Sequence, residues 1–292
     1  MKLVLVHGID QQDRVPEELQ SSWLHWLSTG MPDSKVLQKA TVDMPFYGKV
    51  LFDLMHGRST LNAIEQGEGS SVDAEELAFI AEAMGEAGQA AGLSAQAIAT
   101  EQRAADSGPV EQGLLMNRRV NAIARLLEKV SPAHGRLVLP LVRQAYAYLR
   151  RPGIAPAVDQ IVGHALDPQV PTVVVAHSLG TVVTFKLMRA LAQAGRPIKC
   201  PLYVTLGSPL ALRAVSAALG VPFVVPPGVD MWVNAVDPSD AVTLGKPLDA
   251  STFADHIENI MDVQNLSANS PHDVEGYLKE RRVAAKVEMA LR

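Results

Sequence analysis

The sequence predicts an α/β fold: a mostly parallel sheet flanked by helices, with a large helical insertion. Three observations predict it. Leu3–Val6, Val173–Val175, Leu202–Leu206 and Met231–Val236 are short, mostly apolar runs that suit strands buried in a parallel sheet. Helical patterns lie between successive runs, as the crossovers of parallel strands require. From residue 49 to residue 166 no convincing strand pattern occurs. The chain thus divides into a sheet core of residues 1–48 and 167–292 and a helical insertion of residues 49–166.

Leu3–Val6 runs directly into His7-Gly8-Ile9-Asp10, where Gly8 permits a close backbone turn. His7 there suits structural hydrogen bonding. Asp10, Asp13 and Arg14 read as a solvated loop, with ligand contact the alternative. Pro16 to Leu27 carries helix start signals, with Pro16 near N1 and Glu17 and Glu18 in the first turn. Leu19, Trp23, Trp26 and Leu27 recur at helical spacing, which reads the tryptophans as core. Lys35 to Met44 suits a second strand. Pro45-Phe46-Tyr47-Gly48 then falls at the sheet's carboxyl edge, so Phe46 and Tyr47 line a pocket or simply pack.

Within the insertion, Glu65 to Ser71 is rich in Gly, Ser and Glu and reads as a loop. Asp73 to Ala105 reads as an alanine-rich helix weakened by Gly85, Gly88 and Gly92. Met116, Val120, Ile123, Leu127 and Val130 form one apolar helical face. Arg118, Arg119, Arg125 and Lys129 on the other faces read as a solvated surface, with membrane-surface docking the alternative. Ser131-Pro132 opens a further helix with a kink at Pro140, and Val158, Ile161, Val162 and Ala165 mark one more.

The remaining chain is organised around Pro171 to Thr184, PTVVVAHSLGTVVT. A buried-type strand meets a helix across Ala176-His177-Ser178-Leu179-Gly180. A serine on such a turn is held exposed above the sheet edge, beside the free N–H groups of the helix start. Gly180 fully, and Ala176 partly, supply the small flanks this requires. Ser178 is thus a candidate nucleophile, with a serine N-cap as the alternative. The next strand ends at Gly207-Ser208-Pro209-Leu210, where Pro209 argues against a second elbow. Met231–Val236 leaves two candidate acids, Asp237 and Asp240, of which Asp237 also suits a turn cap before Pro238. Of the eight histidines only His256 and His272 lie beyond. His272 sits in a late loop before a terminal helix, Asp273 to Leu291, with Ser270, Pro271 and Asp273 as start signals.

A net charge of −5 gives no reason to expect a nucleic-acid partner. GxxxxGK[ST], GxGxxG and clustered Cys/His spacings are absent, so neither a nucleotide nor a metal is expected, and no cofactor is implied. The single Cys200 excludes an internal disulfide and reads as a buried thiol. No apolar run reaches the roughly 18–20 residues that span a bilayer. Lys2 directly precedes a strand with no cleavage site after it, so the expectation is a cytoplasmic protein.

These motifs resemble those of the α/β-hydrolase superfamily, especially its lipases and esterases. The likeness rests on His-Gly after the first strand, A-H-S-L-G where the family usually has G-x-S-x-G, and the GSPL strand end. It covers about residues 1–47 and 167–292, lacks the first two strands of the full family pattern, and makes the insertion a cap or lid. The resemblance implies an α/β-hydrolase fold and a serine esterase or lipase that cleaves carboxylic esters. Ser178 would be nucleophile, His272 base and Asp240 acid, with Asp237 the alternative acid; the N–H groups of Ile9 and Leu179 would form the oxyanion hole. His7, Gly8, Phe46, Tyr47 and His177 are the expected substrate-binding residues, and a small-molecule or lipid ester the expected substrate. A phospholipase, acyl-thioesterase or acyltransferase would share every motif, and an inactive hydrolase-like binding module is the non-enzyme alternative.

Overall fold

A computed structural model describes residues 1–66, 74–106, 112–130, 132–265 and 270–292. Its six strands are β1 (Lys2–Val6), β2 (Thr41–Asp43), β3 (Thr172–His177), β4 (Tyr203–Leu206), β5 (Trp232–Ala235) and β6 (Glu258–Ile260). They form one wholly parallel sheet in the order β2-β1-β3-β4-β5-β6. The order reverses at β1, which turns left to β2 before the chain returns on its right as β3. In open parallel sheets, ligand crevices lie beyond the carboxyl ends of the strands at such a reversal. His7-Gly8 and Ser178 follow β1 and β3, so both arrive at that point.

Alternation along the strands sends side chains into two apolar layers. Leu3, Leu5, Val173, Val175, Val204 and Val233 face α1 (Pro16–Gly30), α10 (Val274–Lys279) and α11 (Arg281–Leu291). Val4, Val6, Val174, Ala176, Tyr203 and Trp232 face the other layer, which α8 (Leu179–Gln193) and α9 (Arg213–Leu219) help to build. Between β2 and β3, every described element is a helix: α2 (Gly48–Gln66), α3 (Ala74–Ala90), α4 (Ala95–Asp106), α5 (Gln112–Val130), α6 (Pro132–Arg150) and α7 (Ile154–Ala165). Their apolar faces, Ile80, Ile123, Leu141 and Val158 among them, belong to the same buried cluster as Val4 and Val174. The insertion is therefore packed into the core on one face of the sheet.

Several elements differ from their sequence patterns. The strand expected over residues 35–44 shrinks to Thr41–Asp43, because the Asp33 side chain accepts the Lys35 N–H and starts a 3₁₀ turn over Ser34–Lys39. The long helix expected over residues 73–105 is two helices, parted where Gly92 adopts φ +89°. Glu65 and Gln66 end a helix rather than open a loop, and residues 67–71 lie outside the described ones. Met116, Arg118, Arg119 and Val130 lie on α5, but their side chains are outside the description. The terminal helix breaks at Glu280, whose carboxylate accepts the Arg282 N–H and caps α11. Among the described residues, no helix is long and apolar enough to cross a membrane.

Candidate active site

Ser178 joins β3 to α8 with φ 53° and ψ −128°, a conformation that costs a non-glycine residue about 1–3 kcal/mol. Tight packing enforces it. A Cβ on Gly8 would stand 2.7 Å from the Ser178 Cβ, and one on Gly180 would stand 2.5 Å from the Val6 and His7 carbonyl oxygens. Both positions therefore need glycine. The Ser178 N–H donates to the Leu206 carbonyl at 3.0 Å, anchoring the turn to β4.

Three groups from distant loops meet here. His272 Nε2 lies 2.8 Å from Ser178 Oγ, and His272 Nδ1 lies 2.8 Å from Asp240 Oδ2. The carboxylate can only accept from Nδ1–H, which leaves Nε2 of the neutral ring as acceptor for the serine hydroxyl. The Asp240 carboxylate also accepts the Val242 N–H on Oδ1 at 2.9 Å and the Tyr277 O–H on Oδ2 at 2.8 Å. Gly207, at φ +54°, packs beneath this pair; a Cβ there would lie 3.1 Å from both Asp240 Oδ2 and His272 Nδ1. Asp237 does something else. Its Oδ1 accepts the Ser239 N–H and its Oδ2 the Asn265 N–H, so it ties the loop after β5 to the loop that carries His272. His256 is exposed and, among the described residues, paired only with neighbouring Asp255. Ser208 is buried, bonded to the Thr181 hydroxyl at 2.8 Å.

The other two histidines near Ser178 hold backbone. The Tyr47 N–H donates to His7 Nε2 at 3.1 Å, His7 Nδ1–H donates to the Gly8 carbonyl at 2.8 Å, and burial pushes its pKa down to about 4. His177 Nε2–H donates to the His272 carbonyl at 2.8 Å. Burial, and then the neighbouring His272, hold the His177 pKa well below the usual histidine range. Both rings thus stay neutral near pH 7 while fixing the loops on either side of Ser178. Ile9 and Leu179 flank the same spot, and neither backbone N–H donates to another described residue.

A cavity of about 430 Å³ reaches this cluster. His7, Gly8, Ile9, His177, Ser178 and His272 form its inner end. Its apolar wall is Leu19, Trp23 and Trp26 of α1, so those tryptophans serve the cavity as well as the core. Gln11, Arg14, Asp10, Asp273 and Glu275 supply polar lining. The Trp23 indole N–H is buried with no acceptor among the described residues.

Four expectations need correction. Phe46 and Tyr47 do not line the cavity; Tyr47 is fully buried, stacked on His7 at 4.1 Å, with its hydroxyl donating to the His7 carbonyl at 2.6 Å. Phe46 packs beside His7, its ring centroid 5.1 Å away. Ser178 is not exposed to bulk solvent; it is fully buried and lines the inner end of the cavity. The insertion, which the resemblance makes a cap or lid, contributes Leu137 alone to the lining among the described residues. Sequence reasoning missed Tyr277 and gave Gly207 no role of its own, whereas Asp10 and Arg14, read as a solvated loop with ligand contact the alternative, line the cavity. Of these, Gly207 before Ser-Pro carried a visible signal.

No protein-family model, curated protein or solved structure matches the chain.

Proposed function

We propose that the protein is a serine hydrolase that cleaves small carboxylic esters through an acyl-enzyme on Ser178. One observation carries this reading: the unbroken hydrogen-bonded chain from Ser178 Oγ through His272 to Asp240, at the strand-order reversal. The parallel sheet, with its long helical insertion, is compatible with the α/β-hydrolase fold that the motifs resemble.

In this mechanism His272 Nε2 takes the Ser178 proton as Oγ attacks the ester carbonyl. The carbonyl oxygen becomes an anion facing the Ile9 and Leu179 N–H groups, each such donor being worth roughly 3–4 kcal/mol. The tetrahedral species collapses, His272 hands its proton to the departing alkoxide, and the acyl group stays on Oγ. Water then gives a proton to His272 and attacks the acyl carbonyl, releasing the acid and restoring the serine. Asp240 orients the imidazole and balances its positive charge throughout.

The lining supports a substrate with one apolar group against Leu19, Trp23 and Trp26. Hydrolysis of p-nitrophenyl esters across acyl lengths tests the reading. Ser178→Ala and His272→Ala each lower kcat by about 10⁴-fold or more. Undiminished turnover in Ser178→Ala would overturn the assignment.

A further inference from the structure

We infer that Tyr277 is a positioning residue for the acid–base pair, setting how strongly Asp240 pulls on the His272 proton. The inference rests on the hydrolase reading above. Tyr277 lies on α10, just beyond the loop that carries His272, and is fully buried. Its oxygen accepts the Asp237 N–H at 3.0 Å, and its own proton goes to Asp240 Oδ2 at 2.8 Å. Asp240 Oδ2 is the same oxygen that accepts His272 Nδ1–H. Two donors therefore share one carboxylate oxygen, and the charge given to one is withheld from the other.

The hydroxyl keeps its proton: burial, and then the Asp240 charge, hold the Tyr277 pKa well above the ordinary phenol range. It is thus a neutral donor at every pH at which the protein would work. The titratable and charged groups around this cluster are His177 at the end of β3, Asp237 and Asp240 after β5, His272 with Asp273 and Glu275 at the start of α10, and His7, Asp10 and Arg14 after β1, which line the same cavity as His272. From α1, packed on the other side, come Leu19, Trp23 and Leu27, which do not titrate.

The sign of the effect follows. Removing the Tyr277 hydroxyl leaves more of the carboxylate's charge to the imidazole, so the ring keeps its second proton to higher pH. The acid limb of the pH–rate profile then moves up. A tyrosine that only fills space would leave that limb where it is when replaced by phenylalanine.

The test is the pH dependence of Ser178 inactivation by a fluorophosphonate, which needs no knowledge of the natural substrate. In Tyr277→Phe the acid limb moves up by about 0.5–1 pH unit, and the limiting rate falls about three- to tenfold. Site-specific Tyr277→3-fluorotyrosine strengthens the donor without altering its shape, and moves the limb the opposite way. An acid limb unmoved in both variants overturns the inference. Should wild-type protein take no label on Ser178, the hydrolase reading itself fails, so the two failures are distinct.

Discussion

The carboxyl ends of β1 and β3 and the carboxyl ends of β5 and β6 both deliver groups to the site, but they hold them by different means. At β1 and β3 the backbone does the holding. Ser178, at φ 53°, is pressed between Gly8 and Gly180, each without room for a methyl group, within three residues of a strand end. At β5 and β6 long loops are tied by side chains: Asp237 to the Asn265 N–H, the Asn265 amide to the Pro271 carbonyl, His177 to the His272 carbonyl, Tyr277 to Asp240. The lesson concerns tolerance. A backbone-held group moves only when packing is violated, whereas a side-chain-held group can be loosened one hydrogen bond at a time.

The largest effect should come from the side-chain-held end. Asp240→Asn replaces the acceptor-only carboxylate at His272 Nδ1–H by an amide that can present a donor there and favour the wrong imidazole tautomer, and lowers ester kcat by about 10⁴-fold, read in steady-state kinetics. A loss that small in Asp240→Asn as to match Asp237→Asn would erase the distinction drawn between the two acids. At the backbone-held end, Gly180→Ala forces a methyl onto the β1 carbonyls and costs about 3 kcal/mol or more in chemical denaturation. Wild-type stability there would show that the elbow is not tightly packed.

A pH titration sharpens the contrast from another side. The folded His7 pKa of about 4 lies below its unfolded value near 6.5, so the unfolded chain binds the proton first. This contribution is complete above pH 6.5 and lost as pH falls toward 4, a loss of about 3 kcal/mol for His7. His177, shifted in the same direction, adds to it. Unfolding free energy measured across that window should show a gentler slope in His7→Gln than in wild type; equal slopes contradict the account. The smallest effect belongs to Asp237→Asn, which spoils one of two accepted N–H bonds and costs about 1–2 kcal/mol of stability, with kcat reduced less than tenfold.

The same contrast explains what could be read from the residues alone. Ser178 was legible because an elbow is local: a valine strand, a small flank and a helix lie within a few residues. The continuous buried runs of β1, β3, β4 and β5 were legible for the same reason. Which of Asp237 and Asp240 meets a histidine came only from the resemblance, since that contact is made by His272, with Tyr277 beside it, more than thirty residues later. Trp23 and Trp26 look like core by helical spacing because core and cavity share that face of α1. Tyr47 misled in the other direction. Its place at the sheet edge suggests a pocket, but its hydroxyl turns inward to the His7 carbonyl.

The central claim is that Ser178 carries an activated hydroxyl, and its direct test is mass-spectrometric mapping of fluorophosphonate-treated, folded protein. One adduct is expected, on Ser178, formed slowly in His272→Ala and absent in Ser178→Ala. Folded wild-type protein that stays unlabelled, or carries its adduct on Ser208 instead, contradicts it.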